Sequence, residues 1–219
     1  GVPRMQNVQQ QAKKMAIQFI QNEARNGSLT WYNRSLNMDH QRKLCFVHNP
    51  KCMGTSLKNW LGLRTDNADH RFPTIMMNKQ AWEEYTTIVV VRHPIDRFIS
   101  SYHFHCKSGY SGGYLQKYPD LKSWDMDTYF ETMRVAEPYC LAPQWKYTVH
   151  LRSDATIDFL IQMEKAGDQL PQLASFLDVP LTIPSLNRNP GQKEPPPADV
   201  HRKLVQYYER DFQLFGYDG

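Results

Sequence analysis

The residues His48-Asn49-Pro50-Lys51-Cys52-Met53-Gly54-Thr55-Ser56-Leu57 gather the groups that hold an anion. Backbone amides at a helix start donate to phosphoryl oxygens, and Gly54 lets the backbone come close. Thr55 and Ser56 add hydroxyl donors, and Lys51 supplies a full positive charge. The lysine precedes the glycine, so the spacing fails the G-x-x-x-x-G-K-[ST] pattern of a Walker A loop. Taken alone, the segment reads equally as a phosphate grip or a structural turn. A second set follows in Arg92-His93-Pro94-Ile95-Asp96-Arg97-Phe98-Ile99-Ser100-Ser101-Tyr102, where Arg92 ends an apolar run and Ser100 lies two helical turns on. Between the two, Asp69-His70-Arg71-Phe72-Pro73 offers a histidine, which titrates near neutral pH and suits the removal of a hydroxyl proton.

These positions need elements to present them. Leu44-Cys45-Phe46-Val47-His48 reads as a short buried strand, and the loop after it leads into a helix from about Thr55 to Leu61. Strand, loop, helix is the order that turns helix amides toward a phosphate. Thr87-Ile88-Val89-Val90-Val91 is β-branched throughout without alternation, which predicts a central parallel strand buried on both faces. Pro94 suits the first turn of a helix through Phe98 and Tyr102. A third strand is expected over Thr156–Ile161, a helix near Leu170–Leu177, and a last helix over about Ala198–Leu214. Upstream, Met15, Ala16, Phe19 and Ile20 fall near helical spacing within Gln6–Asn26, an outer helix that Gly27 can stop. Alternating strands and helices predict an α/β sheet three layers deep, with ligands at the carboxyl ends of the strands. The organisation expected is one domain over residues 1–219, with a helical extension over 1–42 and a core over 43–217.

In order and placement the two loops resemble the donor-binding pair of the sulfotransferase superfamily, which uses 3′-phosphoadenosine 5′-phosphosulfate (PAPS). The nearer resemblance is to the carbohydrate-type family 2, whose motifs resemble H-x-P-K-x-x-G-T-S and R-x-P-x-x-R-x-x-S-x-Y. It extends through Gln162-Met163-Glu164, Leu186-Asn187 and the closing Tyr207–Tyr217 segment. The resemblance implies a P-loop-NTPase-like α/β/α fold with a mainly parallel sheet. It also implies direct in-line transfer of a sulfuryl group from PAPS to a hydroxyl of a glycan or small metabolite. The product would be adenosine 3′,5′-bisphosphate, and no metal is required. By resemblance Lys51, Cys52, Met53, Gly54, Thr55 and Ser56 surround the 5′-phosphosulfate, Arg92 and Ser100 take the 3′-phosphate, and Asn187 and Arg188 close over the nucleotide. Lys51 is the cation for the leaving oxygen. His70 is the general base, since several family members place a catalytic histidine after a strand between the motifs. The sequence departs from the family at Cys52 and Met53, where Thr and Gly are common; their side chains must point away from the donor or crowd it. Because transfer is direct, Cys52 reads as a loop residue rather than a nucleophile.

Other histidines compete for the base role. His48 reads as a residue that packs or orients the loop, and His103 and His105 as solvated or packing residues. Glu83 and Glu84 read as a wet helix end, Arg97 as an internal ion-pair partner, and Trp60 with Leu57 and Leu61 as a core stripe. The aromatics of 110–145 suit packing of an irregular insertion or the lining of an acceptor cleft. Two other functions fit less of the chain: a P-loop nucleotide kinase, which lacks its Walker A and B signatures, and a non-catalytic nucleotide- or polyanion-binding module.

The net charge of +4 favours an anionic ligand without calling for nucleic acid. Cysteines 45, 52, 106 and 140 have no zinc spacing and are expected to be reduced, with Cys106–Cys140 the pair open to bridging. No apolar run approaches the roughly 20 residues of a membrane span. The opening Gly1-Val2-Pro3-Arg4-Met5 lacks a signal-peptide core. The expectation is a cytoplasmic protein, or a Golgi-lumenal one if the chain is a piece of a longer anchored parent.

Overall fold

The computed structural model describes residues 33–183 and 193–219. The expected helix over Gln6–Asn26 and the residues Asn187 and Arg188 lie outside them. The described chain divides into two compact units, residues 33–92 with 144–183 and residues 93–143 with 193–219.

The first unit is built on a four-stranded sheet in the order β1 (Met38–Asp39), β2 (Leu44–Val47), β3 (Thr86–Val91), β4 (Phe159–Gln162). β2, β3 and β4 run parallel, in register Phe46↔Ile88 and Val90↔Ile161, and β1 adds an antiparallel edge. The β-branched run behaves as its composition requires: Ile88 through Val91 have no exposed surface, so both faces of β3 are covered. Burying each such side chain contributes about 1.5–3 kcal/mol. On one face Leu44, Phe46, Ile88, Val90 and Ile161 pack with Leu57 and Leu61 of α1 (Gly54–Trp60) and Leu170 and Leu173 of α7 (Ala166–Leu177). Short helices α2 (Pro73–Met76) and α3 (Lys79–Glu84) precede β3. This mostly parallel sheet flanked by helices is the expected α/β architecture.

β4 starts three residues later than expected because Asp158 has another task. Its carboxylate accepts from the Thr87 amide (2.9 Å), and its amide donates to Thr87 Oγ1 (3.0 Å), a side-chain clamp in place of a ladder rung. α1 ends in a Schellman turn: Gly62 sits at φ 74°, its amide donates to the Asn59 carbonyl, and the Leu63 amide donates to that of Lys58. Leu57 and Leu61 face the core as their spacing predicts, and the half-buried Trp60 donates its indole N–H to Pro180.

The second unit is helical: α4 (Pro94–Tyr102), a π-helical turn His103–Lys107, α5 (Gly113–Lys117), α6 (Met126–Ala136), α8 (Ala198–Tyr207) and α9 (Glu209–Phe215). Pro94 opens α4 as expected, and His93 Nδ1 caps it by accepting from the Ile95 amide. The core joins Phe98, Tyr102, Trp124, Tyr129, Phe130, Met133 and Leu204, with Tyr110, Tyr114 and Tyr118 packed against it. The aromatic-rich stretch is thus largely packing. The expected single C-terminal helix breaks at Tyr208, whose buried hydroxyl donates to the Leu141 carbonyl (2.8 Å). Glu209 and Asp211 then supply the acidic first turn that a new helix start favours.

Candidate active site

β2 and β3 end side by side, and each delivers its chemistry just past its last paired residue. After β2 the chain kinks twice into the left-handed region, at Lys51 (φ 64°) and Met53 (φ 51°), and enters α1 at Gly54. Alternation of left- and right-handed residues gathers successive amides into a concavity suited to an anion. Met53, the N-cap residue of α1, makes no side-chain capping hydrogen bond. Thr55 is exposed there, Ser56 and Lys51 are half-buried, and their hydroxyls and ammonium complete an electropositive loop.

Cys52 and Met53, the residues that depart from the family motif, turn inward. Cys52 is buried with its thiol 3.3 Å from Asn49 Nδ2, and Met53 packs on the core beneath α1. The Cys52 side chain is thereby withdrawn from the loop surface, and the half-buried Met53 spends part of its side chain on core packing. Met53 holds a conformation that costs a non-glycine residue about 1–2 kcal/mol, which its packing offsets.

Gly54 is required for a different reason from backbone freedom. A Cβ there would run into the imidazole of His48, overlapping Nε2 and Cδ2 and lying 3.1 Å from Cε1. His48 therefore lies directly beneath the loop. Burial, and then the neighbouring His70 and Lys58, push its pKa from 6.5 down to about 3 against the pull of Asp69, so its ring is neutral. Its Nδ1 and the Oδ1 of Asn49 are buried with no hydrogen-bond partner among the described residues.

His70 is fixed to this support. Its ring lies 4.3 Å from that of His48, and its Nδ1 is 3.1 Å from the His48 carbonyl. A carbonyl only accepts, so Nδ1 carries the proton and Nε2 of the neutral ring carries the lone pair. That is the tautomer a base needs. Its backbone is held as firmly: Tyr147 donates its hydroxyl to the His70 carbonyl (2.9 Å), and Asn37 Nδ2 donates to the Asp69 carbonyl (2.7 Å). Asn37 in turn accepts from the buried Lys58 ammonium (3.0 Å), whose pKa burial pushes down. Asp69 is ion-paired with Arg71 (2.8 Å) and accepts from Ser35 (2.5 Å). Burial raises the Asp69 pKa, yet those hydrogen bonds and the Arg71 charge outweigh it, and the carboxyl stays below its usual range.

Arg92 leaves the end of β3, and its Nη1 donates to the Lys51 carbonyl (3.2 Å). Lys51 through Ser56, His48, His70 and Arg92 thus come together in the first unit. Ser100 lies in the second unit, on α4 and 8% exposed.

The family model of the sulfotransferase family matches residues 34–218. The chain belongs to the sulfotransferase family. No curated protein and no solved structure matches it. Residues 48–57 and 92–102 both fall inside the matched span, and sulfuryl transfer is the chemistry of the family.

The other candidates resolve by their contacts. Arg97 is buried and donates to the carbonyls of Tyr139 and Ala142. His105 is buried, with Nδ1 at 2.7 Å from the Tyr129 hydroxyl. Burial, with Lys193 and Lys107, lowers the pKa of His103. Glu83 and Glu84 close α3 at the surface. Among the described residues none of the four cysteines is joined in a disulfide. Among the described residues no group of His, Cys, Asp or Glu is placed to hold a metal, and no helix is long and apolar enough to cross a membrane.

Four residues at this site have no signal in the sequence: Asn37, Lys58, Gln144 and Tyr147. Each is a common polar type far along the chain from its partner, joined to it only by folding.

Proposed function

We propose that this sulfotransferase moves a sulfuryl group from PAPS to an acceptor hydroxyl by direct in-line displacement, with His70 as the base. The observation that carries the reading is the fixed tautomer of His70, hydrogen-bonded to the carbonyl of the residue that supports the donor loop. The loop fits a polyanionic donor: its N-cap residue Met53 makes no side-chain capping hydrogen bond, the hydroxyls of Thr55 and Ser56 and the lysine are exposed or half-buried, and Cys52 is buried in the core.

PAPS, when bound, supplies an electrophilic sulfur and a phosphate leaving group. The loop amides with Thr55 and Ser56 bind the 5′ end, and Lys51 offsets the charge that develops on the leaving oxygen. Arg92 takes the 3′-phosphate; the assignment of Ser100 to that phosphate rests on its motif alone. Nε2 of His70 receives the hydroxyl proton, and the imidazolium that forms is stabilised through Nδ1–H by the His48 carbonyl. The acceptor class proposed is a glycan or a small hydroxylated metabolite.

The test is incubation with isotopically labelled PAPS and a panel of hydroxyl acceptors, read by mass spectrometry. Sulfated product is expected from the native protein. Lys51→Ala and His70→Ala should retain the fold and lose most turnover, about 10²–10⁴-fold for the base. Full transfer by His70→Ala would remove the base assignment. Nucleotide binding without transfer to any acceptor would favour a non-catalytic binding module.

A further inference from the structure

We propose that Gln144 is a positioning residue that sets the donor loop and Arg92 in one geometry, and so determines how well the site distinguishes a nucleotide phosphorylated at both ends. The proposal rests on the reading of Lys51–Ser56 and Arg92 as the donor site. Gln144 has no exposed surface. Its Oε1 accepts from the Arg92 amide (2.9 Å), from Asn49 Nδ2 (2.8 Å) and from the Cys52 thiol (3.6 Å), and its Nε2 donates to the Arg92 carbonyl (2.7 Å). Its amide thus meets both backbone groups of Arg92 as a neighbouring strand would. It does so where the sheet has stopped, since Val91↔Gln162 is the last registered pair of β3. The same oxygen gathers the buried side chains of Asn49, just before the donor loop, and Cys52, within it, and Asn49 Nδ2 continues to the Val90 carbonyl (3.0 Å).

Strand pairing does not need these bonds. β2 and β3 are already registered from Leu44↔Thr86 to Val47↔Val89, and the Gln144 bonds to Arg92, Asn49 and Cys52 fall on residues past the strand ends. Those are the residues that carry charge to the ligand. Lys51 and Arg92 leave from different strands, so the spacing between their cations depends on whatever ties the two loops. Gln144 is that tie, with the Arg92–Lys51 carbonyl bond beside it. The thiol of Cys52 gains a role here as a third donor to the Gln144 oxygen.

A ligand that reaches both loops loses more from slack between them than a ligand that reaches one. The test therefore compares adenosine 3′,5′-bisphosphate with adenosine 5′-monophosphate by calorimetry, on the native chain and on Gln144→Met and Gln144→Glu. Met keeps the volume and removes every hydrogen bond. Glu keeps the shape, but at pH 8 it cannot donate to the Arg92 carbonyl. The bisphosphate should weaken by about tenfold more than the monophosphate, the worth of one to two buried hydrogen bonds. In Gln144→Glu the lost preference should return as the pH is lowered to 5.5 and the carboxyl regains its proton, each value taken relative to the native chain at the same pH. An unchanged bisphosphate-to-monophosphate ratio in a folded variant overturns the proposal. So does a variant that stays unfolded in saturating bisphosphate, since a residue acting through the donor site must be rescued by its ligand. A native chain that binds neither nucleotide would instead overturn the donor-site reading itself.

Discussion

The contact between Gly54 and His48 makes the sharpest stability prediction. Replacing Gly54 with Ala places a methyl group inside the buried His48 ring, whose Cε1 would be the most distant atom of the three nearest at 3.1 Å. The ring has little room to withdraw: His48 is 7% exposed, Phe46 lies 5.7 Å away centroid to centroid, and His70 lies at 4.3 Å. Overpacking of this kind costs about 3 kcal/mol, and the helix-propensity gain of Ala over Gly returns at most about 1 kcal/mol. The net loss is about 2 kcal/mol, or roughly 4–8 °C in Tm for a chain of this size. In a His48→Ala background the obstacle is gone, and Gly54→Ala should become neutral or slightly stabilising. Urea denaturation of the four proteins gives the cycle, with a coupling energy of about 2–3 kcal/mol expected. Equal losses from Gly54→Ala in both backgrounds would refute the argument that the glycine is there to clear the imidazole.

Two further outcomes follow from the same structure. His48 is held neutral with a pKa of about 3, below the 6.5 of an unfolded chain, so its contribution is present above pH 6.5 and is lost as the pH falls toward 3. Between pH 7 and pH 5 that loss is about 2 kcal/mol, and urea titrations at the two pH values should show a difference smaller by that amount in His48→Asn. At the end of α6, Glu137 occupies the left-handed region (φ 55°, ψ 46°) with its side chain exposed. Glu137→Gly should therefore raise stability by about 0.5–1 kcal/mol, measured as an increase in Tm with unchanged urea m-value.

The local code of this chain is easy to read because its signals lie close together. The β-branched run of β3, Pro94 at a helix start, the Leu57–Leu61 stripe and the lysine-glycine-hydroxyl loop each depend on a few adjacent residues, and backbone sterics and burial translate them directly into elements. The boundaries that moved did so where a distant group intervened. Asp158 clamps Thr87 and delays β4, and the hydroxyl of Tyr208 reaches Leu141 where the C-terminal helix breaks.

The site divides along the same line. Sequence alone determined which residues carry charge and which histidine stands between the two motifs, because those are matters of residue type and order. Only the tertiary structure decided the rest. Cys52 and Met53 turn inward, Gly54 is needed to make room for His48, a carbonyl sets the tautomer of His70, and Gln144 joins Asn49 and Cys52 to Arg92 across 52 residues or more. Each of these is a contact between side chains or carbonyls remote in sequence. Its partner is set by burial and packing, for which no run of neighbouring residues carries a signal.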